Sequence, residues 1–122
     1  MVDMIDKLAP RLVVADAAAA IDFYCNVFGA VEVDRMVHDG KIVHAELSFD
    51  GAPVMVKDAD SYDAAPAAGS VPVILMADVA DVDALGQRLV GAGATVVDGA
   101  GGGVYGATPL EMYIVTVVPL RA

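Results

Sequence analysis

The sequence predicts an α+β fold of two βαβββ modules within a single domain. Three observations carry that prediction. Runs of β-branched and alternating residues are punctuated by Asp-Gly turns, one helix-period segment stands in each half, and the order of elements repeats on either side of a small-residue linker. The chain has 122 residues, too few for two ordinary domains. In so short a chain an internal repeat constrains the fold more than any single element does.

The first module covers about residues 8–58. APRLVVA at 9–15 is a short β-branched run and reads as a strand. Asp16 follows as an N-cap. Ile21, Tyr24, Cys25 and Phe28 then recur at i, i+3, i+4 and i+7, which defines one apolar helix face, and Gly29 ends the helix as its C-cap. VEVDRMV at 31–37 alternates strictly, Asp39-Gly40 is a hairpin turn, and KIVHAELSF at 41–49 alternates again. Asp50-Gly51 is a second hairpin turn, and PVMVKD at 53–58 is the fourth strand.

The linker is ADSYDAAPAAGS at 59–70. The second module covers about 71–118. VPVILMA at 71–77 is its first strand, and Asp81 precedes a helix over about 82–90 with Leu85, Leu89 and Val90 on its apolar side. GAGA ends that helix, TVVD at 95–98 is a strand, and GAGGG at 99–103 is a turn. VYGA from 104 and LEMYIVTVV at 110–118 form the closing hairpin. The glycine run is not a phosphate loop, because it lacks the Lys-Ser/Thr ending and is flanked by strands on both sides.

Composition excludes several function classes. Asp plus Glu number 17 against 7 Lys plus Arg, a formal net charge of −10. That balance opposes binding to nucleic acid, whose phosphates need cations, and docking on an anionic membrane. The 57% hydrophobic fraction opposes disorder, yet it consists mostly of 22 Ala and 21 Val, and no stretch approaches the ~20 apolar residues of a membrane span. Met1 to Lys7 carries Asp3 and Asp6 and no basic lead into an apolar run, unlike a secretory signal. Cys25 is the single cysteine, so no internal disulfide forms, which suits a reducing cytoplasm. With two His it also excludes a Cys/His zinc cluster. Its place in the helix stripe marks Cys25 as a core residue rather than a nucleophile.

Two such modules, with LVVADAAAAIDFYCNVFGA opening the first and VADVDALGQRLVGAGATVV opening the second, resemble the vicinal oxygen chelate superfamily of glyoxalase I, extradiol dioxygenases and bleomycin-resistance proteins. GKIVHAELSFDG is similar to the PhnB-like branch. The resemblance covers roughly residues 8–118 and is specific for fold rather than activity. It implies a cupped mixed sheet with the helices on its outer side, a ligand in the cup and, in the enzymes, a divalent metal. Its metal-ligand positions fall at Ala9, Ile74, Val56 and Tyr113, none a good metal ligand. A slip of two residues in the last strand would bring Glu111 to one of them. No metal or other cofactor is therefore expected.

Strand periodicity then selects the polar groups of the cup. Val43, Ala45, Leu47 and Phe49 share one face of 41–49, and Ile42, His44, Glu46 and Ser48 the other. His44 and Glu46 would stand ~6.5–7 Å apart at Cα, able to hold a polar ligand or move a proton near neutral pH, or simply to sit on a solvated face. Arg11 shares the face of Ala9 and would either seek an anion there (Glu46, Glu111 or a bound carboxylate) or reach solvent at the strand end. Tyr113 would offer a phenol where the enzymes have a ligand, and Tyr105, in its Gly-flanked loop, would either close over the cup or stand as an ordinary surface ring. The ligand-binding set is thus Arg11, His44, Glu46, Tyr105, Glu111 and Tyr113, with His44 and Glu46 as the catalytic candidates.

The leading expectation is a metal-independent binding protein of the bleomycin-resistance type, a homodimer that sequesters a small, partly apolar molecule. The net charge favours a cationic ligand. A metal-free isomerase, lyase or resistance enzyme with His44 as general base is the alternative. A glyoxalase-like metalloenzyme or dioxygenase is the third reading.

Overall fold

The structure is a computed structural model and describes residues 5–66, 74–94, 96–98, 104–105 and 114–119. The chain divides into two compact units, Met1–Ala65 and Pro66–Ala122, and the division falls inside the expected linker. The first unit contains β1 (Arg11–Val14), α1 (Ala17–Phe28), β2 (Val31–His38), β3 (Lys41–Phe49) and β4 (Ala52–Asp58). The second contains β5 (Ile74–Val79), α2 (Val82–Gly91), β6 (Val96–Asp98), β7 (Val104–Tyr105) and β8 (Ile114–Pro119). Both are βαβββ modules in an α+β fold, as the sequence predicts.

The two sheets share one topology. Strand order is β1-β4-β3-β2 in the first and β5-β8-β7-β6 in the second. In each, the strand before the helix runs parallel to the last strand, and the remaining pairs are antiparallel. The crossover helix makes the parallel pair possible, and in the first sheet two Asp-Gly turns make the antiparallel ones. Asp39 and Gly40 hold φ 50° and 76°, and Asp50 and Gly51 hold 53° and 94°. Two successive positive φ values match the right-handed twist of the strands they join.

Helix α1 is fixed at both ends. The Asp16 carboxylate accepts from Ala19 N–H, and Gly29 closes the helix at φ 72° with its N–H donating to Cys25 O. The core lies between α1 and one face of the first sheet. It joins Ile21, Tyr24 and Val27 to Leu12, Val14, Leu47, Val54 and Val56, and Phe49 packs edge-on against Tyr24 and Phe28. The buried stripe is rotated from the expected one. Ala17, Ala20 and Val27 are in it, whereas Cys25 and Phe28 are half-buried at its margin. In α2, Leu89 is buried and Leu85 half-buried, but Val90 is exposed, one position round the helix from the packed side.

The β2–β3 hairpin departs further from its expected pattern. Its register shifts between Glu32 and Asp34, and shifts back between Met36 and Val37. Val33 is the extra residue of β2 and Val43 the extra residue of β3, so each strand carries one bulge. The burial pattern of β3 follows. Ile42, Ala45 and Leu47 are buried, whereas Val43 and His44 are both half-buried. Ile42 therefore joins the helix side and Val43 leaves it, the reverse of simple alternation. The bulge in β2 splits its apolar set likewise. Val31 stands opposite Ser48 and Val37 opposite Ile42, and all eight residues of this edge strand are exposed.

Candidate functional site

The face of the first sheet opposite α1 is the candidate site. Register alone arranges its rows. Arg11 lies beside Met55, Met55 beside Glu46, and Glu46 beside Asp34. One step along, Val13 lies beside Lys57 and His44 beside Met36. His44 and Glu46 share this face, as expected, and both are half-buried. The side chains that alternate with these rows, Leu12, Ala45 and Val56, are buried against the helix.

Arg11 finds a partner other than the anions expected for it. Its Nη2 donates to the carbonyl of Val43, the bulged residue, at 3.0 Å. That contact passes over β4 to reach β3. Two strand spacings are about 10 Å, so the Arg11 side chain lies extended across the open face. Glu46 is held by Lys7 instead, whose Nζ donates to Oε2. The Glu46 side chain is 17% exposed and that of Lys7 49%.

Four further residues that sequence reasoning missed shape the rim. Asp58 ends β4 with one carboxylate oxygen accepting from Ala17 N–H and the other from Ile42 N–H, each at 2.7 Å. It thus serves the first turn of α1 and the start of the bulged strand together. Lys57, only 4% exposed, donates to Asp60 and Asp63 at 2.7 Å each. These bonds raise the Lys57 ammonium above its ordinary value, the one to Asp60 foremost. The Lys57 bond, with backbone N–H groups of Asp63 and Tyr62, lowers the Asp60 carboxyl to about 2. The one local signal for this cluster is a Lys closing an alternating strand with acids three and six residues on. No local signal marks Lys7, whose partner lies 39 positions away.

Of the remaining candidates, Tyr105 closes the two-residue strand β7, paired with Val96 and Val115. Glu111 and Tyr113 lie outside the described residues. On the other side of the sheet, burial raises the Cys25 thiol above its usual range, and Glu32 and Asp22 add to the effect. A thiol so held stays protonated, as a packing residue rather than a nucleophile.

A family model described as the Glyoxalase/Bleomycin resistance protein/Dioxygenase superfamily matches residues 4–109. The chain belongs to this superfamily. Its relatives include an uncharacterised protein of Mycobacterium bovis, 46% identical over 97 residues that cover 74% of this chain and 64% of that protein. A Mycobacterium tuberculosis relative is equally identical, with 57% of its length covered. The chain thus spans about three-fifths of the length of these relatives. Among solved structures, TioX from Micromonospora sp. ML1 is 28% identical at TM-score 0.64, with 91% of this chain and 95% of that one covered. An Arabidopsis thaliana gene product is 25% identical at TM-score 0.74, covering 93% and 99%. The fosfomycin resistance protein FosX of Listeria monocytogenes, complexed with Mn(II) and 1S,2S-dihydroxypropylphosphonic acid, reaches TM-score 0.68 at 16% identity, covering 96% of each, a likeness of fold alone.

Metal-dependent members of the glyoxalase superfamily make the donor set a direct question. Ala9, Ile74 and Val56 carry no donor side chain, and Tyr113 lies outside the described residues. Val56 is moreover buried on the helix side. Met55 and Lys57, its neighbours on the open face, are a thioether and an ammonium. Among the described residues no three His, Cys, Asp or Glu side chains converge as a metal site. A hard divalent cation needs several converging oxygen or nitrogen donors, and those described do not fit one. Among the described residues, no helix is long and apolar enough to cross a membrane.

Proposed function

We propose that this superfamily member is a metal-independent binding protein that holds a small, partly apolar molecule on the open face, in the manner of the PhnB-like and bleomycin-resistance branches. The observation that carries this reading is the composition of that face. Val13 and Met55 supply an apolar, adaptable floor, and Arg11, His44 and Glu46 supply polar anchors around it. Such a lining orients an organic ligand. Arg11 keeps further guanidinium donors beyond the one given to Val43. Pairing of two chains is part of the proposal, and β2, with exposed Val31, Val33, Met36 and Val37, offers apolar surface for it.

Metal content of the purified protein, with a thermal-shift series in Zn²⁺, Ni²⁺, Mn²⁺ and anaerobic Fe²⁺, tests the reading. A ligand specific for the native state raises the melting point in step with ln(1 + [L]/Kd). No stoichiometric metal and no saturable shift are expected. A stoichiometric metal or a large saturable shift overturns metal independence.

The juxtaposition of His44 and Glu46 on one face favours a second reading, a metal-free isomerase or lyase with His44 as general base. Loss of turnover in His44→Ala with ligand binding intact separates it from simple sequestration.

A further inference from the structure

Glu46 is already partnered. Its carboxylate accepts from Lys7, a residue that precedes β1 while Glu46 stands two strands away on β3. The segment before β1 therefore reaches over the open face. Its apolar side chains do not anchor it there, since Ile5 and Leu8 are 66% and 80% exposed. The ion pair is half-open to solvent on the Lys7 side, and pairs of that kind are weak enough to exchange.

We propose that residues 5–8 form a strap across the ligand face, in which the Lys7 ammonium stands in for the cationic group of an organic ligand. Resting on the binding function above, this narrows the ligand class to a molecule with an amine, amidinium or quaternary centre on an apolar body. Glu46 keeps 17% of its side chain exposed, and a carboxylate so placed favours a cationic partner. Either Lys7 or the ligand's cation supplies that partner. Arg11 does not compete, because it is turned toward the Val43 carbonyl. The apolar body lies over Met55 and Val13, and the net charge of −10 draws cations toward the protein.

The test uses two probes, the planar aromatic cation ethidium and its neutral parent phenanthridine, titrated by fluorescence into the wild-type chain, Lys7→Ala, Glu46→Gln and Lys41→Gln. Amide exchange of residues 5–10 is followed in parallel. Lys7→Ala is expected to tighten ethidium about two- to fivefold, the worth of an exposed ion pair. Lys41→Gln, which removes the same charge away from the strap, is expected to leave ethidium affinity unchanged. Glu46→Gln is expected to weaken ethidium and spare phenanthridine, and exchange at 5–10 is expected to accelerate in Glu46→Gln and on adding ethidium to the wild type. Equal ethidium affinity in the wild type and Lys7→Ala, or exchange at 5–10 indifferent to Glu46→Gln, overturns the strap. Phenanthridine binding without any preference for ethidium overturns the cation assignment and leaves the binding face standing. Failure of both probes removes the two together.

Discussion

The first sheet has two faces built on opposite principles. Toward α1 it is apolar and closed: Leu12, Val14, Ala45, Leu47 and Val56 have at most 2% of their surface exposed. Toward the open side the same strands alternate to Arg11, Val13, His44, Glu46 and Met55. Each of these groups is half-covered or exposed, and two of the charged ones are engaged by partners from other elements. The closed face contributes stability through burial, and the open face contributes little stability but holds the chemistry. The lesson is that a single period-2 pattern can serve folding and recognition at once, provided its phase is kept.

Substitutions sharpen or break that contrast. Leu47→Ala on the closed face is expected to cost about 2–5 kcal/mol, read as a lower urea midpoint with an unchanged slope. Glu46→Gln, one residue away on the open face, is expected to cost about 1 kcal/mol at most. Equal losses would mean that the two faces do not differ in kind. Asp58→Ala is expected next, at about 1–3 kcal/mol, because two backbone N–H groups lose their acceptor. The smaller effect expected of Asp58→Asn reflects the acceptor oxygen it retains, and exchange of the Ala17 and Ile42 amides locates the damage.

Gly29→Ala is expected to cost about 1–2 kcal/mol through left-handed backbone strain. Gly29 sits at φ 72° and a Cβ there would meet nothing within 4 Å, so strain rather than collision sets the cost. Gly29→Asn, which tolerates that conformation better, should recover part of it in a melting experiment.

The smallest effect is a pH dependence at the rim. Asp60 binds its proton less tightly in the folded protein, at about 2 against an ordinary 3.8. Its contribution is therefore complete above the ordinary value and is lost as pH falls through the folded one. Melting temperatures taken from about pH 5 to about pH 2 are expected to fall less steeply in Asp60→Asn than in the wild type. Parallel curves would mean that the Lys57–Asp60 contact does not persist in solution.

What the sequence reveals follows from the range of each interaction. Helix ends and hairpin turns were legible because Asp16, Gly29, Asp39-Gly40 and Asp50-Gly51 act within a few residues of themselves. The His44–Glu46 face was legible because both lie on the same side of one bulge. Ile42 was misplaced because nothing in KIVHAELSF marks the extra residue. The bulge is set by the ladder with β2 and by the Asp58 carboxylate that takes the Ile42 N–H. Lys7 and the Arg11–Val43 contact were illegible for a related reason, since each joins segments more than thirty residues apart. The Val90 error was one of phase, a single residue being enough to turn a helix position from the sheet to solvent.

The two bulges of the hairpin have a bearing on how this chain tolerates changes of length. Register shifts by one residue after Glu32 and returns to its starting value at Val37. Val33 and Val43 thus cancel, and the pairs nearest the Asp39-Gly40 turn keep the offset of the pairs at Val31 and Glu32. Deleting either valine alone would remove the unpaired residue of its strand and leave every other pair with its present partner and facing. Deleting both would leave a regular ladder from the Val31–Ser48 pair to the His38–Lys41 pair. The hairpin can therefore lose either extra residue without a change of partners, and the segment bearing His44 and Glu46 is the part whose local twist such deletions would relax.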